Sequence, residues 1–318
     1  MTDPLSLAAI AIAQSSPPAE LPPPATPTVD LQRSQRVQAE KERLDQILRQ
    51  MRQQVKPEAR PPLESTAPVP PVTNPVQSLQ PRSGSQLFAQ RRAALQAGQV
   101  HTRLARDEFY PAWASAMQSP TRQQWRSLLV QEANQVRNAQ EPIGILLGDS
   151  LSLWFPSDRL PPTRLWLNQA ISGENTGDIL HRLSTFGQTR PQIVYLMAGV
   201  NDLKQGATDQ RILQNLRLIV QRLRQQHPQT RVVVQSILPP RSLPISSQRI
   251  ARLNQQLRTL ARQQGAYYLD VSARMVDPEG YLRADLTTDG LHLNANGYAV
   301  WQQVLHQSEQ YLVSQSSR

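Results

Sequence analysis

The stretch "ILLGDSLSLWF", Ile145 to Phe155, begins as a buried strand and breaks into Gly148-Asp149-Ser150 where a strand should end. Small polar residues after an apolar run are ordinary turn chemistry. On this stretch alone Ser150 reads two ways, as a turn residue or as a hydroxyl displayed for chemistry. The rest of the chain has to separate them.

After Pro142 the apolar pattern alternates in period. Strand candidates run 143–148, 164–170, 192–198, 231–237 and 266–271, with helical stretches near 177–187, 209–226 and 246–264 and a last helix over about 294–314. Strands joined by connections of this length require right-handed crossovers, which predicts a five-stranded parallel sheet covered by helices on both faces. The insertion "MVDPEGYLRADL" reads as a turn around Asp277-Pro278-Glu279-Gly280. Residues 142–318 thus form an α/β domain.

Two different regions precede it. Residues 84–141 read as a helical extension: "SQLFAQRRAALQAG" ends on Gly98, and "SPTRQQWRSLLVQEANQVRNAQ" places Ser119 as a cap with Pro120 at the first helical position. Trp125, Leu128, Leu129 and Val136 make the buried stripe of that second helix. Residues 1–83 are Pro/Gln-rich and of low complexity; 15 of the 27 prolines fall before residue 83 and the first glycine is Gly84, a composition that makes a semi-stiff tether. Within it, residues 33–55 carry Leu44, Leu48, Met51 and Val55 at helical spacing, an amphipathic helix too short for a sustained coiled coil.

Composition narrows the chemistry. With no cysteine in 318 residues, disulfides, thiolate metal sites and cysteine nucleophiles are excluded. The net charge of +10 is spread, with 16 Lys/Arg against 12 Asp/Glu in residues 1–141 and 18 against 12 in residues 142–318. So diffuse an excess reads as a solvated surface and not as a nucleic-acid footprint. No window approaches the roughly 18 apolar residues of a membrane span. The N-terminal "LSLAAIAIAQ" has no Lys or Arg before it, making it a weak export or docking segment. The N-terminal region is a candidate contact for a membrane surface or a partner.

In doubly wound sheets, ligands sit beyond the carboxyl ends of the strands where strand order reverses. Four boundaries there carry unusual groups: Gly148-Asp149-Ser150, "ISGEN" with Gly173, "AGVND" with Asn201 and Asp202, and "TTDGLHLNANGY" with Asp289 and His292. A serine hydroxyl needs a base, usually a histidine oriented by a carboxylate. Of His101, His181, His227, His292 and His306, only His292 sits in a loop with a nearby carboxylate, Asp289 three residues earlier.

Gly173 can offer a backbone N–H, Asn201 a side-chain amide and Ser150 its own N–H to a developing oxyanion. Each has a plainer reading: Asn201 as a helix cap, Gly173 as a turn with positive φ. Asp149 and Asp202 read as loop or helix-start braces.

Together these blocks resemble the GDSL or SGNH hydrolase family, standing here as "GDSLS" with Ser150, "NQAISGEN" with Gly173, "AGVNDL" with Asn201, and "DGLHLNANGY" with Asp289 and His292. The resemblance spans roughly residues 142–315. It implies a flavodoxin-like three-layer α/β/α domain and a serine hydrolase for small-molecule esters, such as O-acetyl, carbohydrate or lipid esters or thioesters, using neither metal nor cofactor. Ser150, Asp289 and His292 would be the catalytic residues, and Ser150, Gly173 and Asn201 the oxyanion hole. Asn168 matches the second block and is expected to brace the Gly173 loop.

Two other enzyme classes fail on residues. An α/β-hydrolase would want G-x-S-x-G, but Ser152 stands where the second glycine belongs. A phospho-acceptor receiver would want a lysine beyond the fifth strand, and the only lysines are Lys41, Lys56 and Lys204. A third alternative is a non-catalytic, hydrolase-like binding module on a Pro-rich tether. Site walls are expected from "SLWFPSDRLPP", "LKQGA" with Lys204 and "LPPRSLPISSQR" with Arg241, with Trp154 and Phe155 either lining an acyl pocket or packing beneath the loop.

Overall fold

The computed structural model describes residues 79–316. The expected helix over 33–55, the proline-rich runs before residue 79 and the apolar N-terminal stretch lie outside the described residues.

Five parallel strands form one sheet: β1 (Ile143–Gly148), β2 (Leu165–Ala170), β3 (Pro191–Met197), β4 (Arg231–Gln235) and β5 (Tyr267–Leu269), in the order β2-β1-β3-β4-β5. All six residues of β1 and all six of β2 are buried, as expected of a parallel sheet sandwiched between helices. The chain leaves β1 for β2 on one side and then crosses to β3 on the other. The carboxyl end of β1 is therefore the switch point, where neighbouring connections diverge and leave a crevice.

Helices α1 (Gly84–Gln96), α2 (Tyr110–Trp113) and α3 (Arg122–Val136) precede the sheet, and α4 (Ser150–Leu153), α5 (Thr176–His181), α6 (Val200–Lys204), α7 (Asp209–Gln226), α8 (Ser247–Gln263) and α9 (Ala295–Ser316) follow its strands. The long crossover helices form for local reasons. Thr208 and Ser246 cap α7 and α8 by accepting from Arg211 N and Arg249 N. Ile212, Leu216, Ile219, Val220 and Leu223 make the buried stripe of α7. Among the described residues no helix is long and apolar enough to cross a membrane.

Several expected boundaries move. The stretch 177–187 is two elements, α5 and a 3-10 turn over Leu183–Phe186, because Arg182 leaves helical dihedrals at φ −112° and ψ 15° and directs its guanidinium onto the buried Glu174. Strand β4 stops at Gln235: Ser236 N makes the last bond to β5, at Leu269 O, and Ile237 N turns away to the side chain of Asn254. The cap of α3 is Thr121 and not Ser119: Thr121 Oγ1 accepts from Gln124 N while the Gln124 side chain accepts from Thr121 N, a reciprocal box that satisfies two otherwise orphaned N–H groups. The turn at Asp277–Gly280 stands as expected, closed by Gly280 N to Asp277 O at 3.0 Å.

The helical extension packs into the same body as the sheet. Leu87, Trp125, Leu128 and Leu129 share a buried cluster with Leu153, Ala170 and Ile171, and Phe88 meets Trp125 edge to face at 5.1 Å. Arg91 of α1 is 1% exposed, ion-paired with Glu132 of α3, and donates to Asn168 O of β2 at 2.8 Å.

Candidate active site

Ser150 opens α4 directly beyond β1, with Asp149 as the cap. Gly148 is required there by close approach: a Cβ would lie 2.4 Å from Met197 O of β3 and 2.6 Å from Ser152 Oγ. The chain can turn so tightly between two adjacent strands only without a side chain at that position. Asp149 Oδ1 accepts from Leu151 N at 3.0 Å, and its second oxygen is buried without a partner among the described residues. Complete burial lifts the Asp149 pKa to about 7, against the lowering effect of the Leu151 N–H. Asp149 is a brace whose second oxygen is held out of water.

From the other end of the chain, His292 Nε2 lies 3.2 Å from Ser150 Oγ. Asp289 Oδ2 lies 2.7 Å from His292 Nδ1, while Asp289 Oδ1 accepts from Leu291 N at 2.9 Å and His292 N at 2.7 Å. Burial would raise the Asp289 pKa, but the hydrogen bonds from the His292 ring, His292 N and Leu291 N outweigh it and hold it at about 2. An ionised carboxylate accepts and cannot donate, so Nδ1 carries a proton, and in the neutral ring this leaves Nε2 as the acceptor that faces Ser150. The loop is itself anchored: Thr287 Oγ1 donates to His292 O at 2.6 Å, and Thr288 N to the same oxygen at 3.0 Å.

Gly173 has φ +77°, and a Cβ built on it would meet nothing within 4 Å, so the glycine answers a backbone requirement and faces open space. Asn201 is not the cap of α6, a place taken by Gly199. Its Nδ2 donates to Glu174 O at 2.9 Å, which ties it to the peptide beside Gly173 and leaves its second amide hydrogen for another acceptor. Asp202 accepts from Thr176 N at 2.8 Å and Thr176 Oγ1 at 2.5 Å, bracing the start of α5. Asn168 reaches two places: its amide donates to Ser152 O at 2.8 Å and Leu153 O at 3.1 Å, fixing the serine helix, while its Oδ1 accepts from Ala170 N at 3.2 Å, at the entry to the Gly173 loop. The reason is topological, because β2 runs alongside β1 and brings the side chain to the helix that follows β1.

Three supporting residues escape a reading by motif. Glu174, buried, pairs with Arg182 and with Arg126 of α3 at 3.6 Å. Thr176 receives Asp202, and Tyr298 OH donates to Leu151 O at 3.0 Å. Glu174 and Tyr298 lie inside blocks already singled out and Thr176 one residue beyond one, and a polar residue flanking a candidate donor was the available signal.

Of the expected walls, the loop after α4 borders a cavity of about 660 Å³ that reaches His292; Lys204 and Arg241 do not line it, and Arg241 is ion-paired with Asp277. Trp154 and Phe155 both line the cavity and pack, Phe155 meeting Tyr298 and Trp301 edge to face at 5.8 and 5.1 Å. Among the described residues no group of three His, Asp or Glu side chains is placed to hold a metal ion.

Comparison with known proteins gives concordant results. The sequence model of the GDSL-like Lipase/Acylhydrolase family matches residues 146–300. Platelet-activating factor acetylhydrolase IB subunit alpha1 of Pongo abelii is 31% identical over 180 residues, covering 52% of this chain and 75% of that protein. The alpha2 subunit of Gallus gallus is 28% identical over 53% of this chain and 76% of its own length. A solved structure from Streptococcus pneumonia, provisionally named a platelet activating factor, superposes with a TM-score of 0.52 at 25% identity, covering 58% of this chain and 93% of that one.

Proposed function

This chain belongs to the GDSL-like lipase/acylhydrolase family, hydrolases that act on esters, and we propose that it cleaves a small-molecule ester through an acyl-enzyme on Ser150. The observation that carries the reading is the 3.2 Å approach of Ser150 Oγ to His292 Nε2, with Asp289 on the far side of the ring.

His292 takes the Ser150 proton as Oγ attacks the ester carbonyl, and Asp289 stabilises the imidazolium that results. Charge develops on the carbonyl oxygen. The N–H groups of Ser150 and Gly173 and the remaining amide hydrogen of Asn201 are the donors assigned to it. The imidazolium then gives its proton to the departing alcohol oxygen, leaving an acyl-Ser150 ester. Water, deprotonated by His292, attacks that ester; Oγ leaves with the proton and the carboxylic acid is released.

A fluorophosphonate probe tests the assignment. Wild type takes up the label stoichiometrically and Ser150→Ala takes up none. A folded wild type that stays unlabelled returns the chain to the reading of a hydrolase-like binding module.

A further inference from the structure

The cavity beside His292 has walls from four parts of the chain: residues 153–159, the histidine loop with the start of α9, residues 80–82, and the N-terminal extension, which contributes Leu87, His101, Leu104 and Arg106. The extension lies wholly outside the residues 146–300 that the family match covers. We infer that this cavity receives the alcohol half of the ester, and that its extension wall makes the enzyme select bulky, apolar, non-cationic alcohols. The inference rests on the proposed role of His292.

Position assigns the half of the substrate. In the tetrahedral intermediate the oxyanion faces its donors, and the leaving oxygen faces the protonated histidine. Ser150, Gly173 and Asn201 are not among the cavity walls, whereas His292 is, so the cavity begins on the histidine side of the nucleophile. A group departing past His292 enters this space.

Size and lining assign its chemistry. The volume of about 660 Å³ suits a ligand well beyond the size of a methyl or ethyl group. Apolar surface comes from Leu104, Leu153, Trp154, Phe155 and Leu293. Among the described residues the charged lining includes Arg106 and Arg159 against Asp158, a balance that opposes a cationic guest.

The extension wall is built to stay in place. Gln90 Nε2 donates to Arg106 O and Glu108 O, both at 3.0 Å, and Thr102 Oγ1 donates to Trp166 O of β2 at 2.6 Å. Arg106 bonds Asp158 at 2.7 Å across the cavity mouth. The Gln90 bonds hold the extension to itself, while Thr102 ties it to the sheet and Arg106 to the loop after the serine.

Leu104 is half-buried in that wall and is the position to vary, in the full-length chain. Leu104→Trp enlarges the side chain in that wall and narrows the cavity. Its kcat/KM on 2-(2-naphthyl)ethyl acetate, divided by that on methyl acetate, is expected to fall at least tenfold from the wild-type ratio. The ratio for methyl octanoate over methyl acetate, which varies the acyl half, is expected to stay within twofold. An unchanged alcohol ratio, or a shift confined to the acyl ratio, overturns the inference.

Binding of free 2-(2-naphthyl)ethanol, followed calorimetrically, needs no turnover and keeps the test separate from the catalytic reading. Wild type is expected to bind it at least tenfold more tightly than Leu104→Trp, and more tightly than a quaternary-ammonium alcohol of similar bulk. Equal Kd values, or a wild type that binds neither alcohol, overturn the inference. Loss of fluorophosphonate labelling with intact alcohol binding would instead overturn the proposed function.

Discussion

Arg91, in the first helix of the N-terminal extension, donates to the backbone carbonyl of Asn168 in the edge strand β2 at 2.8 Å. Asn168 in turn holds Ser152 O and Leu153 O, so one residue links the extension by hydrogen bonds to the helix that carries Ser150. Arg91 and its partner Glu132 are 1% and 5% exposed. Removing one partner of a buried pair strands a charge, whereas replacing both with apolar groups does not. Arg91→Met is expected to lower unfolding stability by about 3–5 kcal/mol, and Arg91→Met with Glu132→Leu to recover most of it. Urea unfolding midpoints of the two variants check this; a double variant no more stable than the single would refute the pairing argument.

Asp289 leaves about half of its side chain in solvent, so its contribution is to His292 and not to packing. Asp289→Asn keeps an acceptor for the Leu291 and His292 N–H groups but can donate to the ring, which favours the wrong tautomer. We expect kcat to fall on the order of 10³–10⁴-fold, with stability changing by less than about 1 kcal/mol. Steady-state kinetics beside thermal unfolding tests it. A variant with near-normal kcat would remove Asp289 from the mechanism.

Asn201→Ala takes away a candidate oxyanion donor and leaves Glu174 O without its 2.9 Å partner. The first loss is expected to lower kcat about 10²–10³-fold and the second to cost about 1–3 kcal/mol of stability. Because an oxyanion donor acts chiefly in the transition state, KM should move little. A rise in KM at constant kcat would assign Asn201 to ground-state binding.

Burial raises the Asp149 carboxyl from an ordinary 3.8 to about 7. The folded chain then holds a proton between those values that the unfolded chain has released. Its stabilising contribution is complete below about pH 4 and is lost as pH rises through about 7. The wild type is expected to lose on the order of 2 kcal/mol between pH 5.5 and pH 8 from this group, at about 1.4 kcal/mol per pH unit below the folded pKa. Asp149→Asn, which keeps the acceptor for Leu151 N, should flatten that dependence. Parallel pH–stability curves for the two proteins would show that Asp149 is ionised in the fold.

Local chemistry made much of this molecule legible. The strands of β1 and β2 are short continuous apolar runs, and a parallel sheet buried on both faces demands that pattern. The histidine was isolated by elimination, since only His292 stood in a loop three residues from a carboxylate. Where sequence misled, two local signals competed. Ser119-Pro120 resembled a helix start until the reciprocal bonding of Thr121 and Gln124 outweighed it, and a continuous helix over 177–187 gave way to the demand of buried Glu174 for the guanidinium of Arg182.

By itself, then, the amino-acid order determined the element types, the four polar blocks and their place at strand ends, because these follow from periodicity and residue chemistry over short spans. Only the tertiary structure decided that Ser150 and His292, 142 positions apart, stand 3.2 Å from one another, that Asn168 serves the serine helix, and that the N-terminal extension closes a cavity on His292. Those relations depend on strand order and on the packing of distant segments, which no local pattern of residues encodes.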